Sequence, residues 1–542
     1  MPVEPWTDPS EAIFATRPIL PAMRRLIALA VLVTLFASCG GSTAAGSDRP
    51  VRILSGVPST LDPAAQGDAG SAAITAQLFE SLTTFDADLQ VRPALAESWT
   101  FAGGGRQVTF RLRPNLTFSD GTPLRPSDVA RSWLRVVDPK RPSPLASLAF
   151  DIAGAEAYMR GTSPAPASVG LHADDAAGTL TVDLTRPATD FVNIVAGPEF
   201  GVVPPGVSAN PTSALGPGKD FVASGGYVLS GKTKTGLELT ANPRYWAGKP
   251  AIGTIDLIGD LGGRGAVDAF TSGDIDYAPV PGIDASWLAY DQALGPQLRQ
   301  VGSLSVQYYG FDTTKAPFND PLVRQAFGQA IDWRRMAALS GSDGTVQVAN
   351  SMVPPGIPGR SVQDFLPRYD PAGARALLAK AGYPGGAGFP TTILMTGGSG
   401  YDEGIVAEVK HELGITLKAE QMGDGYFDRL ATDPPAMWSL GWVADYPGRN
   451  DFLGVLLGTG ATNNYGHWSS PTFDAAIAEA VSAIDPTVAS AAYDRAEAVV
   501  RDDVPVVPVS YGPGWALSRT GLLGAGQNGL GIVRMAGLAW AD

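Results

Sequence analysis

Side chains able to do chemistry are few in this sequence. There are three histidines, His172, His411 and His467, and one cysteine, Cys39. No histidine stands beside a second at zinc-ligand spacing. His172 reads as part of a polar turn and His411 as a residue of an exposed helix. His467 falls between Gly466 and Trp468. No G-x-S-x-G nucleophile elbow occurs. Gly103-Gly104-Gly105 sits between Phe101 and a strand opening at Arg106, which reads as a hairpin turn rather than a phosphate cradle. A lone thiol makes neither an internal disulfide nor a thiol-rich metal site. The expectation is a protein that is not an enzyme and holds no metal or cofactor.

The elements that would position a site come next. At 542 residues the chain is too long for one core, and two or three domains are the natural division. Val108, Phe110 and Leu112 alternate with polar neighbours and read as a strand, as do Leu180, Val182 and Leu184, then Leu237 and Leu239. Asp320-Pro321, Asp370-Pro371 and Ser470-Pro471 each place a capping side chain before a proline that costs nothing at a first helical position. No 20–50-residue repeat is present, which excludes solenoids and propellers. Mixed strand and helix signals indicate an α/β protein of more than one lobe. The net charge of −14, without basic blocks, disfavours nucleic acid as a partner.

The N-terminus reads as an address. Arg24 and Arg25 precede an apolar run from Leu26 to Ala37, shorter than the ~20 residues that cross a bilayer. It fits the core of a secretory signal, with Met23 a better start than Met1. Leu35-Phe36-Ala37-Ser38-Cys39 resembles a bacterial lipobox, which makes Cys39 the lipidation site. Residues 1–38 are then the signal peptide and 39–47 a lipid-anchored tether. The three acidic and three basic residues of that signal cancel, leaving the mature charge unchanged. The expected location is the outer face of the cytoplasmic membrane, held there by lipid.

A series of collinear segments then carries a resemblance. They include Ser59-Thr60-Leu61-Asp62-Pro63, Pro93-Ala94-Leu95-Ala96-Glu97-Ser98-Trp99 and Phe118-Ser119-Asp120-Gly121-Thr122-Pro123. Asn242-Pro243-Arg244-Tyr245-Trp246, Pro317-Phe318-Asn319-Asp320 and Trp442-Val443-Ala444-Asp445-Tyr446-Pro447 follow in order. The chain resembles the family 5 solute-binding proteins, the oligopeptide and dipeptide receptors of ABC importers, from about Arg52 to beyond Tyr511. It departs from their pattern at Asp312, at Ala223-Ser224-Gly225-Gly226-Tyr227, and at Gly448-Arg449, where relatives carry an acidic residue and a proline.

The resemblance implies a two-lobed periplasmic-binding-protein-like α/β fold (type II, the large peptide-receptor cluster) with an extra domain in the first lobe. Carried over, residues 48–75, 204–305 and 512–542 form domain I, 76–203 domain II, and 306–511 the second lobe, domain III. It implies capture of a peptide or other small solute in the inter-lobe cleft. Delivery to ABC permease subunits and their ATPases follows, with the receptor acting as a monomer. Gly441, Trp442 and Val443 lie where relatives pair with peptide backbone, and Tyr446 and Val57 flank the cleft. Asp445 matches the carboxylate that receives the peptide ammonium, or else only organises the Asp-Tyr-Pro-Gly turn. Trp442 forms an apolar wall or is ordinary core, and Met437 and Trp438 are further pocket candidates. Open alternatives are the same fold with a metal chelate, glutathione, sugar or opine, a secreted hydrolase, or an envelope lipoprotein in signalling or assembly.

Overall fold

The computed structural model describes residues 49–541 except 87–88, 164, 189, 207–220, 341–346, 399 and 424. The chain divides into Met1–Gly46 and Ser47–Asp542, and every described residue belongs to the second unit. The signal, Met23 and Cys39 lie outside the described residues.

Three sheets organise the chain. A seven-stranded sheet runs in the order Leu298–Val301, Gly514–Ser518, Tyr277–Val280, Val51–Leu54, Thr254–Ile258, Gly236–Ala241, Tyr227–Lys232. Val51–Leu54 is parallel to both of its neighbours, which forces long connections, while the remaining pairs are antiparallel. A four-stranded antiparallel sheet, Ala96–Ala102, Gln107–Leu112, Thr179–Asp183 and Leu171–Asp174, packs with its Phe110 against Trp133, next to Phe191 and Phe200. The third, six-stranded sheet has the order Gln347–Val348, Val506–Tyr511, Ser305–Phe311, Met437–Val443, Thr392–Thr396, Leu417–Gln421. The chain leaves the first sheet after Val301, enters the third at Ser305, leaves it after Tyr511 and rejoins the first at Gly514.

Local chemistry explains the elements. Val108, Phe110 and Leu112 are buried on one face of Gln107–Leu112, as period-two alternation requires. Asp320 accepts from the Leu322 N–H at 2.8 Å and opens Pro321–Ala330; Asp370 accepts from Gly373 at 2.9 Å and opens Pro371–Lys380. Ser470 caps Pro471–Ser482, and Asp485-Pro486 repeats the device at Pro486–Asp503. Gly103–Gly105 joins two antiparallel strands with three positive φ angles of 58°, 64° and 84°, conformations that glycine adopts without strain.

One local reading needs correction, and two glycine spacings need placing. His172 lies within the strand Leu171–Asp174, its Nε2 2.8 Å from Asp183, rather than in a turn. Gly226–Thr233 has the spacing of a phosphate-binding loop, yet Tyr227–Lys232 is a strand in a ladder with Gly236–Ala241, so no helix N-terminus follows it. Gly524–Gly529 likewise fits a dinucleotide spacing but leads into an isolated bridge, Gln527 to Val533, not a helix. Among the described residues no helix is long and apolar enough to cross a membrane.

Candidate functional site

The strand Met437–Val443 is the element that positions the candidate residues. Its first half is core: Met437 and Trp438 are 0% and 2% exposed, and the Trp438 ring packs against Gly310, where a Cβ would meet it at 2.5 Å. Both side chains are core residues of the six-stranded sheet. Thr392–Thr396 pairs with this strand only through Leu394 and Met395, opposite Met437 and Trp438. Beyond that point one edge of the strand has no neighbouring strand among the described residues, while the other edge stays paired with Ser305–Phe311.

The phase of the ladder decides which backbone groups face the open edge. The Ala444 N–H donates to Leu304 O at 2.8 Å, so residues 444, 442 and 440 direct their backbone groups toward Ser305–Phe311. Residues 439, 441 and 443 direct theirs the other way. The Ser439 carbonyl duly accepts from the Tyr426 hydroxyl on that side. Gly441 and Val443 thus present N–H and C=O groups outward, and both residues are exposed. A residue without a side chain at 441 also leaves room for Gln307, whose amide lies 2.5 Å from where a Cβ would stand.

The strand continues into a loop rich in carboxylates. The Trp442 indole N–H donates to Asp451 Oδ2 at 3.0 Å, and the Asp445 backbone N–H donates to the same oxygen at 3.2 Å. The loop is therefore pinned by Asp451, which is 0% exposed, and not by Asp445. Asp445 Oδ2 is enclosed and has no hydrogen-bond partner among the described residues, and neither has Asp451 Oδ1. Trp442 combines the two expected roles, half-buried against the core of the six-stranded sheet while its indole orients a carboxylate.

Glu199 approaches this pair from the Pro198–Phe200 turn, which follows the four-stranded sheet in the chain. Burial pushes its carboxyl up to about 8, helped by the charge of Asp445, while the Gln66 amide is a weak donor at 3.4 Å. Burial also raises Asp445 and raises Asp451 well above the usual carboxylate range, Asp451 further by its proximity to Asp445 and Glu199.

Tyr446 points elsewhere. It is 3% exposed and joins the core of the four-stranded sheet, and it lines a cavity of about 470 Å³ with Asn450, Arg186 and Asp151. Arg186, bonded to Asp151, also donates to Val481 O, so the two sheets' surroundings meet here. Val57 stands past the end of Val51–Leu54, 75% exposed, with a methyl group against Gly259. The structure thus gathers Gly441, Trp442, Val443 and Asp445 on one strand and its exit, while Tyr446 faces another core and Val57 follows a strand of the seven-stranded sheet.

The departure at Arg449 has a structural explanation. Its guanidinium is buried, bonded to Asp494 at 2.7 Å and Glu497 at 2.6 Å, with Tyr493 beneath it. It anchors the loop to the helix Pro486–Asp503. Asp451 and Glu199 are the functional candidates that sequence reasoning missed. Asp451 carried a signal, a second acid six residues after Asp445, whereas Glu199 carried none.

Comparison with known proteins places this geometry. The profile described as "Bacterial extracellular solute-binding proteins, family 5 Middle" matches residues 90–464. The chain is 30% identical to the probable deoxycholate-binding periplasmic protein YgiS of Escherichia coli (strain K12), over 84% of this chain and 86% of that one. It is 28% identical to the periplasmic oligopeptide-binding protein OppA of Salmonella typhimurium, over 90% and 93%. The solved Escherichia coli murein tripeptide binding protein MppA superposes with a TM-score of 0.80 at 27% identity, covering 91% of this chain and 98% of that one. The unliganded open form of MppA gives 0.71. The chain has the two-lobed α/β fold of these binding proteins, and it belongs to the bacterial extracellular solute-binding proteins of family 5.

Proposed function

We propose that the protein captures peptides in the cleft between its lobes and hands them, unaltered, to the permease of an ABC importer. The observation that carries this reading is the outward pair of backbone groups at Gly441 and Val443 beside Asp445, whose Oδ2 is enclosed without a partner among the described residues. Backbone N–H and C=O groups are common to all peptides, so strand addition at this edge binds them without reading side chains. The α-ammonium of a peptide supplies the charge that Asp445 lacks, which a closed, dry cleft requires. The same reading makes the protein a binder that turns nothing over, and a lone chain tethered through a lipid on Cys39.

The relationship to YgiS favours a second reading, a bile-acid-like solute. A carboxylate ligand brings only acceptors to a place where Asp445 Oδ2 and Asp451 Oδ1 already lack a donor among the described residues, which supports the peptide reading over it. Calorimetry distinguishes them. A mixture of free-amine tripeptides should bind wild type and lose most affinity with Asp445→Ala, because stranding one charge of a buried pair costs about 3–5 kcal/mol. Equal affinity in the variant removes Asp445 from the mechanism, and binding of deoxycholate alone replaces the peptide reading.

A further inference from the structure

At Arg186 the surroundings of the four-stranded and six-stranded sheets meet in a seam. The guanidinium, 18% exposed, forks onto Asp151, Nε to Oδ1 at 2.7 Å and Nη2 to Oδ2 at 2.5 Å, and Asp190 stands 3.7 Å away. Nη1 is left over; it donates to Pro187 O at 3.2 Å and, across the seam, to Val481 O. Among the described residues that is the one hydrogen bond joining the stretch 76–203, which carries the four-stranded sheet, to the stretch 306–511. Val481 is next to last in the helix Pro471–Ser482, so its carbonyl has no partner within the helix. A helix C-terminus also carries partial negative charge, which a guanidinium suits.

The rest of the seam is not close-packed. The cavity of about 470 Å³ runs along it, with Phe150 and Ile194 from one side and Ile477 and Val481 from the other. Tyr446 and Asn450 line it too, and the Tyr446 hydroxyl and Asn450 Oδ1 are enclosed without a partner among the described residues. An enclosed polar group without a partner costs about as much as a charge-assisted hydrogen bond contributes, so closure here is nearly balanced. Parting the seam admits water to both groups. It leaves the fork on Asp151 whole, because Arg186 and Asp151 lie on the same side, so the donor stays aimed. The chain superposes less well on the unliganded open form of MppA than on the other MppA structure, 0.71 against 0.80. We propose that Arg186 is a latch between the lobes. Its bond to the Val481 carbonyl favours the closed arrangement and sets how long a captured solute is retained, without touching the solute. The inference does not require that solute to be a peptide.

The test removes the bond from each side of the seam in the full chain. Arg186→Met combined with Asp151→Leu deletes the fork whole, so neither of its members is left as a stranded charge. Ser482→Pro drives Val481 out of the helical conformation and turns its carbonyl away, leaving the fork untouched. Small-angle scattering of ligand-free protein should give either variant a larger radius of gyration than wild type. Stopped-flow tryptophan fluorescence with trialanine should show dissociation about tenfold faster and association changed by no more than about threefold. Combining the two sets of changes should add nothing to either alone, since both remove the same bond. A variant whose melting midpoint falls while its radius and dissociation rate stay at the wild-type values makes Arg186 a helix cap alone and overturns the inference. One folded variant, from either side, is enough for that outcome. Wild type that binds no trialanine refutes the peptide reading and leaves the scattering to decide the latch.

Discussion

Replacing Glu199 by glutamine isolates one member of the carboxyl group without touching the strand. Its carboxyl is fully buried, and its pKa rises from the ordinary 4.5 to about 8. Between those values the folded protein keeps a proton that the unfolded chain releases. The stability contributed by Glu199 is therefore greatest below about pH 4.5 and falls by ~1.4 kcal/mol per pH unit as pH rises. It levels off above about pH 8. At pH 7 the accumulated loss spans about 2.5 units, on the order of 3 kcal/mol. Glutamine, isosteric with the protonated acid, carries no such loss. Urea unfolding of wild type and Glu199→Gln across about pH 5 to 8 should show nearly equal stabilities at the acid end. The variant should gain on wild type by ~1.4 kcal/mol per unit above it. Asp445 and Asp451 are common to both proteins, so their titration cancels to first order. Parallel pH profiles would mean that Glu199 ionises normally in the folded state, and the argument from its burial would fail.

Two further substitutions probe the strand and the loop. In a Gln307→Ala background, which clears the amide from the added Cβ, Gly441→Pro removes an N–H that faces the open edge and not the ladder, so the melting midpoint should stay near that of Gln307→Ala alone while tripeptide affinity falls about tenfold. Loss of folding would place that N–H in the ladder instead. Arg449→Met strands the buried Glu497 carboxylate, which is 1% exposed, and should destabilise by about 3–5 kcal/mol. Adding Glu497→Gln should recover part of that loss in the same thermal melts, and no recovery would deny the pairing.

What could be read from sequence was what is settled locally. Asp320, Asp370 and Ser470 cap their helices because capping depends on neighbours within three residues, whatever the tertiary structure. The alternation of Val108, Phe110 and Leu112 is decided by the pleat alone. The candidate strand was legible only through the resemblance to the family 5 solute-binding proteins, which carried Gly441-Trp442-Val443 over as one collinear stretch. The rest depends on tertiary placement. Tyr446, next to Asp445, turns into a different core because successive residues at a strand exit face opposite ways. Asp451 pins the loop in the place that adjacency suggested for Asp445. Glu199 feels the charge of Asp445 only through tertiary placement, from a turn that follows the four-stranded sheet far earlier in the chain. Nothing in its own neighbourhood, Pro198-Glu199-Phe200, announces that.

The unpaired edge at Gly441 and Val443 carries a liability of its own. A row of unsatisfied amides and carbonyls will zip onto any extended chain, including a second copy of this protein caught half-unfolded. Here the vulnerable stretch is short, and it is interrupted at once by the turn into Asp445. Brevity allows an incoming peptide a few bonds and gives a growing aggregate too few to propagate. The length of that edge is a compromise between appetite and self-restraint.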